Sequence, residues 1–418
     1  MKSVKRIFAT VVCAIFLSSG LFVFASEGQG GPPDIIVDTE SGESAAELLS
    51  QQKPAWMAAS TAPTDASALN IGGKSAVLMD LSSGKILFEK NSHEKLPIAS
   101  VTKVMTLLLI MEAIDSGKLK YTDNITCSEV AMSMGGSQIW LEVGETMTVD
   151  ELLKAIAVVS ANDACAMMAE HLSGSIESFV AEMNARAAEL GMKDTKFLDC
   201  SGLSDEAYSS AHDVALMSRE LMKHNGITKY TTIWMDSLRG GKSQLVNTNK
   251  LVRHYQGATG LKTGTTSKAG HNLSATAKRD NMSLCAVILG CATTDERFGG
   301  ARKMLDYGFA NYSLYTPKID PTALKPLRVL HGVKETVPLV ADDVLPMLIK
   351  KGQDKSAATV MEISENVEAP VSKGQIIGKI TLTFDGKEVA SYSVRAAEDV
   401  KKMKLGNALA KLLTALVG

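Results

Sequence analysis

Strand-forming segments stand at both ends of one long stretch of this chain, with helix-period segments between them. That order constrains the fold more than any other feature. Near the start, Ser75-Ala-Val-Leu-Met-Asp80 and Lys85-Ile-Leu-Phe-Glu89 flank Leu81-Ser-Ser-Gly84 in a hairpin pattern. Near the end, Ala258 to Gly264 and Met282 to Leu289 read as strands. Apolar residues at 3.6-residue spacing predict helices from Ser100 to about Ser116, Glu151 to His171, Ile176 to Leu190 and Phe298 to Tyr312. Strands that are early and late in one segment pair in one sheet, which the intervening helices cover. This gives an α+β domain over residues 71–315.

The flanks have different textures. Residues 316–397 alternate short β-rich runs with turns and read as a small all-β domain: Leu327 to Leu330, Thr336 to Val340, Ala358 to Glu362, Ile376 to Thr383 and Val389 to Val394. Asp385-Gly386 is a hairpin signal within it. Residues 398–418 are helical in pattern, with Leu405, Leu409, Leu412 and Leu416 on one stripe and Lys401, Lys402, Lys404 and Lys411 around it. Such a helix suits the interface of an anionic membrane; docking on the protein itself or a coiled-coil seam are the alternatives. At the other end, Lys2, Lys5 and Arg6 precede an apolar run from Ile7 to about Phe24, and Val23-Phe24-Ala25 stands before Ser26. This three-part pattern predicts a signal peptide over 1–25 rather than an uncleaved anchor, and places the protein at the extracytoplasmic face of the membrane. Residues 26–70, rich in Gly, Ser, Pro, Ala and Gln, read as a flexible spacer.

Composition removes several function classes. Over 418 residues, Lys+Arg at 44 against Asp+Glu at 46 and only 5% aromatics argue against a nucleic-acid partner. Six cysteines without a CxxC pair and seven histidines give no pattern for a metal site, and no cofactor is expected. Cys13 lies in the predicted signal peptide. The remaining Cys127, Cys165, Cys200, Cys285 and Cys291 are odd in number and show no disulfide framework, so buried free thiols are expected.

Three short patterns carry chemistry. Ser100 and Lys103 stand three apart at the start of a helix, which brings both side chains to one face. An unprotonated amine beside a hydroxyl is a general base for a serine nucleophile, and a helix start beside that serine offers backbone N–H groups to an oxyanion. Ser160-Ala161-Asn162 closes the apolar stretch Ala155 to Val159 with a hydroxyl and an amide. Lys262-Thr263-Gly264 ends a strand, where a cation, a hydroxyl and a strand edge can receive an anionic, extended substrate. Each alone also reads as a helix cap or a turn; their order and separation behind a signal peptide make the set specific.

The triple Ser-x-x-Lys, Ser-x-Asn, Lys-Thr-Gly resembles the serine penicillin-recognising enzymes. The stretches Pro97-Ile-Ala-Ser-Val-Thr-Lys-Val-Met-Thr106, Ser160-Ala-Asn-Asp-Ala-Cys165, Ser201-Gly-Leu203, Thr248-Asn249, Gly260-Leu-Lys-Thr-Gly264 and Ala269-Gly-His-Asn-Leu273 are similar to the low-molecular-weight D-alanyl-D-alanine carboxypeptidases, peptidase family S11. The resemblance covers about 71–315, and the β-domain with its basic terminal helix matches the family layout. It implies a serine β-lactamase/DD-peptidase-like fold and a carboxypeptidase that trims D-alanine from peptidoglycan stem peptides and is acylated by β-lactam antibiotics. It also implies roles: Ser100 as nucleophile, Lys103 as general base, Ser160 as proton relay, Asn162 on the substrate amide, Lys262 and Thr263 at the terminal carboxylate. The N–H groups of Ser100 and Thr265 would form the oxyanion hole, with Gly264 also at the substrate and Arg297 assisting the carboxylate. Thr265, His271, Thr248 and His212 depart from residues frequent in the family and bear on substrate preference. A β-lactamase is the alternative within this chemistry, but no Glu-x-x-Leu-Asn follows Asn162 and Ala161 is not aspartate. A non-catalytic wall-binding protein is the alternative outside it.

Overall fold

The computed structural model describes residues 34–36, 53–57, 62–404 and 406. At its centre, β1 (Ser75–Asp80) and β2 (Ile86–Lys90) join β3 (Ala258–Thr266), β4 (Gly270–Arg279) and β5 (Met282–Cys291) in a 5-stranded sheet of order β2-β1-β5-β4-β3. Every pairing is antiparallel, so the two ends of the domain meet at the β1–β5 seam. The two faces of β5 alternate between two cores, as the period of a strand requires. Cys285, Val287 and Leu289 face one side, while Leu284, Ala286 and Ile288 face the other.

The first core is helical: α1 (Lys103–Asp115), α2 (Val149–Val159), α3 (Asn162–Ser173), α4 (Ile176–Glu189) and α5 (Ala211–Leu221) pack around it. From Val104 to Leu108 every residue of α1 is buried, which marks it as a central helix rather than an amphipathic surface one. The second core lies under α6 (Thr294–Asn311). Helices on both faces of the sheet agree with the α+β architecture read from the sequence.

Several local expectations need correction. The helix predicted from Glu151 to His171 is two helices, because Ser160 takes left-handed angles (φ 64°, ψ 29°) and ends α2. Both helices are buried almost all round here, so the apolar run hides the break. The strand β4 has no counterpart among the strands expected from the sequence; its Gly, His, Asn, Ser and Ala content has weak strand preference, and burial between two neighbours overrides that.

The spacer reading of 26–70 is also revised. Residues 34–36 pair in parallel with residues 243–245. Trp56 is buried in the second core, stacked on Phe298 at 5.3 Å between ring centroids, and its carbonyl accepts from Arg302 Nη1 at 2.8 Å. One large aromatic thus secures a segment whose average composition is that of a linker.

After α6 the chain becomes all-β. Tyr312–Tyr315 pairs with Met347–Lys350, and a 4-stranded antiparallel sheet runs in the order Leu339–Ala341, Lys387–Ala396, Ile376–Phe384, Ala357–Ile363. Pro338 divides the run expected as one strand from Thr336 to Val340. Asp385 (φ 50°) and Gly386 (φ 74°) both take the positive angles of a tight hairpin. Residues 398–404 are not the start of a helix. They run extended along the β-domain, with bridges Val371–Val400 and Gly332–Lys402, because Val400 belongs to its core. The signal peptide expected over 1–25 and nearly all of the stretch beyond 404 expected as a basic helix lie outside the described residues. Among the described residues, no helix is long and apolar enough to cross a membrane, and Cys127, Cys165, Cys200, Cys285 and Cys291 are free and buried.

Candidate active site

The nucleophile candidate sits on a tight turn feeding the central helix. Residues Ala99–Thr102 form a 3-10 turn that runs straight into α1, and Ala99 just before Ser100 takes a left-handed φ of 49°. A residue with a Cβ held there stores strain, a feature concentrated at functional turns. One turn on, Lys103 Nζ donates to Ser100 Oγ at 2.8 Å and to the carbonyl of Ser201 at 2.7 Å. Ser100 is 1% exposed and Lys103 0%. The local spacing seen in the sequence therefore becomes direct contact.

The break between α2 and α3 supplies the second group. Left-handed Ser160 is buried, and its Oγ has no hydrogen-bond partner among the described residues. Asn162 opens α3; its N–H donates to Ser137 O and its Nδ2 to Gly135 O, both at 2.7 Å. The same loop is tied down from both sides. Asp163 accepts from the N–H groups of Ile139 (3.0 Å), Leu141 (3.2 Å) and Ala164 (2.9 Å). Burial pushes the Asp163 carboxyl above the usual carboxylate range, and these amides pull it partly back. Arg239 donates to the carbonyls of Ile139 and Trp140 and to the Glu145 carboxylate, with Nε to Oε1 at 2.7 Å.

The third group lies on β3, the sheet's edge strand. Gly264 makes the approach possible: a Cβ there would stand 2.6 Å from Ile98 O, 2.8 Å from Val101 N and 3.0 Å from Ser100 N. Lys262 is buried and donates from Nζ to Thr263 O at 2.9 Å. Thr263 Oγ1 meets Thr248 Oγ1 at 2.6 Å. Arg297, buried on α6, donates from Nη1 to Thr265 Oγ1 at 3.1 Å, so the candidate arginine reaches the end of the strand. Asn272, paired with Gly264 in register, donates to Pro97 O at 3.1 Å and braces the strand against the nucleophile's turn.

Eight candidates from the sequence (Ser100, Lys103, Ser160, Asn162, Lys262, Thr263, Gly264 and Thr265) thus fall on three converging pieces of backbone, and the ninth, Arg297, reaches the third of them from α6. Cys165 reports the field there: burial pushes its thiol up to about 12, while Lys103 and Lys262 act to lower it. A buried serine with an amine in contact, a second hydroxyl, and an edge strand with cations beside it suit acyl transfer from an extended, anionic substrate. Of the family departures, Thr248 touches Thr263, and His271 lies 3.4 Å from Thr294 Oγ1. His212 instead packs against His93, with ring centroids 4.6 Å apart and the rings tilted by 33°.

Motif spacing did not assign roles to Asp163, Asn272, Asp199 or the Ser201 carbonyl. Asp163, Asn272 and Ser201 lie inside stretches quoted above, so their proximity to the motifs was the available signal. No residue-type pattern marks a backbone carbonyl.

The family model described as D-alanyl-D-alanine carboxypeptidase matches residues 61–293, and that described as penicillin-binding protein 5, C-terminal domain, matches 315–402. The D-alanyl-D-alanine carboxypeptidase DacF of Bacillus subtilis is 46% identical over 334 residues, covering 79% of this chain and 86% of the relative. The crystal structure of penicillin binding protein 5 from Haemophilus influenzae is 33% identical with a TM-score of 0.68, over 82% of this chain and 100% of that one. Penicillin-binding protein D2 from Listeria monocytogenes, in its cefotaxime-bound form, is 30% identical with a TM-score of 0.53, over 58% of this chain and 98% of that one.

Proposed function

The chain belongs to the D-alanyl-D-alanine carboxypeptidase family, peptidase family S11, and from that premise we propose how its residues carry the reaction. It is a serine-type D-Ala-D-Ala carboxypeptidase that removes the terminal D-alanine from peptidoglycan stem peptides and is acylated by β-lactams. The observation that carries the mechanism is the buried 2.8 Å contact from Lys103 Nζ to Ser100 Oγ, with the β3 edge beside it.

Lys103 takes the Ser100 proton as Oγ bonds to the carbonyl carbon of the penultimate residue. The N–H groups of Ser100 and Thr265 receive the oxyanion; removing one such donor commonly costs ~10²–10³ in rate. The proton on Lys103 is relayed through Ser160 Oγ, which has no partner among the described residues, to the leaving amine as the C–N bond breaks, leaving Lys103 neutral again. Asn162 holds the substrate amide. Lys262 and Arg297 offset the charge of the terminal carboxylate, Thr263 donates a hydrogen bond to it, and the extended peptide lies along the edge of β3. Water then attacks the ester; Lys103 takes the water proton and hands it to Ser100 Oγ as the ester C–O bond breaks, which restores the free serine and amine.

Residues 1–25 serve as an export signal in this reading, and the basic helix beyond 404 holds the enzyme on the extracytoplasmic membrane surface. The Leu405, Leu409, Leu412, Leu416 stripe with its lysines supports that attachment.

The test is incubation of the protein with a pentapeptide ending in D-Ala-D-Ala, with mass mapping of a penicillin adduct. Released D-alanine and a long-lived adduct on Ser100 are expected. Absence of both overturns the reading, and rapid penicillin turnover without an adduct makes the protein a β-lactamase.

A further inference from the structure

Lys103 needs more than proximity to act as a base. Its amine rides on a flexible four-carbon stem, so a second acceptor has to fix its direction. That acceptor is the carbonyl of Ser201, 2.7 Å away, and it lies on a turn rather than on a helix or strand. Whatever fixes the turn fixes the base.

One side chain does most of this. The Asp199 carboxylate accepts from the N–H groups of Ser201 (2.7 Å), Gly202, Leu203 (3.3 Å) and Ser204 (2.7 Å), and from Ser201 Oγ at 3.2 Å. Successive amides converging on an anion hold a turn in one shape. Its placement is dictated on two further sides. Thr106 Oγ1, on α1, donates to Cys200 O at 2.5 Å. Gly202 takes a φ of 91°, and a Cβ there would stand 2.0 Å from Ala99 O, the peptide before the nucleophile. The turn is therefore pressed against the strained residue that presents Ser100, with its Ser201 carbonyl aimed at Lys103.

We propose that Asp199 is the positioning residue of the general base: through the turn it organises, it holds the Ser201 carbonyl on Lys103 Nζ and so keeps the amine on Ser100 Oγ. It touches none of the reacting atoms. The inference rests on the reading of Lys103 as the base of acylation. Asp199 lies at the fourth position before Leu203 in the Ser201-Gly-Leu203 stretch, and its carboxylate gives that stretch a physical purpose.

The test compares Asp199→Ala, Asp199→Asn and Lys103→Ala in the full chain. Single-turnover acylation by a fluorescent penicillin is resolved into non-covalent affinity and acylation rate constant, and thermal unfolding is followed in parallel. Asp199→Ala is expected to lose about 10²-fold in the acylation rate constant, the cost of a small misplacement of a reacting group, with non-covalent affinity within about twofold. Asp199→Asn, whose amide oxygen still accepts from the Ser201 and Gly202 N–H groups, is expected to recover about tenfold of that loss and to stay about tenfold below the parent. If both variants acylate at the parent rate constant and only unfold at lower temperature, Asp199 is a fold-stabilising turn residue and the proposal fails. Should Asp199→Ala not fold, Asp199→Asn decides alone: a loss in rate constant with unchanged affinity supports the proposal, and parent behaviour overturns it. Lys103→Ala separates the two levels, because parent-like acylation there refutes the base assignment itself, whatever Asp199 does.

Discussion

Replacing Gly264 with alanine tests how closely the β3 edge has to approach the nucleophile. The added Cβ would meet Ile98 O at 2.6 Å, Val101 N at 2.8 Å and Ser100 N at 3.0 Å, all backbone atoms of the turn that carries Ser100. Ordinary contact begins near 3.4 Å, so strand and turn have to separate by roughly 0.8 Å. Neither partner moves freely. β3 is fixed in register to β4, with Gly264 opposite Asn272, and Asn272 also holds Pro97 O. The displacement therefore falls on the gap between Ser100 and Thr265, where the oxyanion would sit. A shift of about 1 Å at a reacting centre costs on the order of 10²-fold, about 2.7 kcal/mol of barrier. Overpacking of this kind costs about 1–3 kcal/mol of stability as well. Gly264→Ala is expected to fold with a lowered melting temperature and to show about 10²-fold slower acylation by a fluorescent penicillin, with D-alanine release falling in step. Parent-like acylation in a destabilised protein would refute the reasoning, because the close approach would then matter to packing alone.

Further outcomes follow from the same geometry. Trp56→Ala removes a stacked, buried aromatic from the second core and is expected to destabilise by about 3 kcal/mol in chemical denaturation, with acylation of the folded enzyme unchanged. Arg239→Ala releases the Ile139 and Trp140 carbonyls together with Glu145. The loop that receives Asn162 loosens, and KM for the pentapeptide is expected to rise about tenfold with a smaller change in kcat. The Glu145 carboxyl is held below its ordinary value of 4.5, first by the hydrogen bond from Arg239. A depressed carboxylate contributes stability that is present above the unfolded value and lost as pH falls through the folded one. The stability advantage of the parent over Glu145→Gln, on the order of 1 kcal/mol for a partly exposed pair, should hold above pH 4.5 and vanish on acidification in thermal melts.

The parts of the site that were legible in sequence are those fixed by local geometry. Ser100 and Lys103 stand one turn apart, so a helix start alone brings them together, and the 2.8 Å contact adds only its direction. Lys262, Thr263 and Gly264 were legible as strand residues for the same reason, although the strand runs on to Thr266 instead of ending at Gly264. What was hidden depends on backbone rather than on residue type. Ser160 is presented by a left-handed break, but unbroken apolar periodicity through Ala155–Ala169 reads as one helix whether or not the chain turns there. The Ser201 carbonyl is an acceptor that any residue at 201 would supply; what marks it is the carboxylate two positions earlier and the glycine after it. Trp56 shows the complementary failure, since a composition average over 26–70 dilutes the few residues, Trp56 and Leu69 among them, that anchor it. The three motifs carry the reactive groups, and their separation in the chain says nothing of how they converge. Convergence is enforced by Gly202 and Gly264, which let two backbones approach the Ser100 turn, and by Asp163 and Asp199, which hold the loops behind those approaches in one shape. A chain with the reactive residues intact but either carboxylate or either glycine replaced would keep its motifs and lose the geometry that makes them a site.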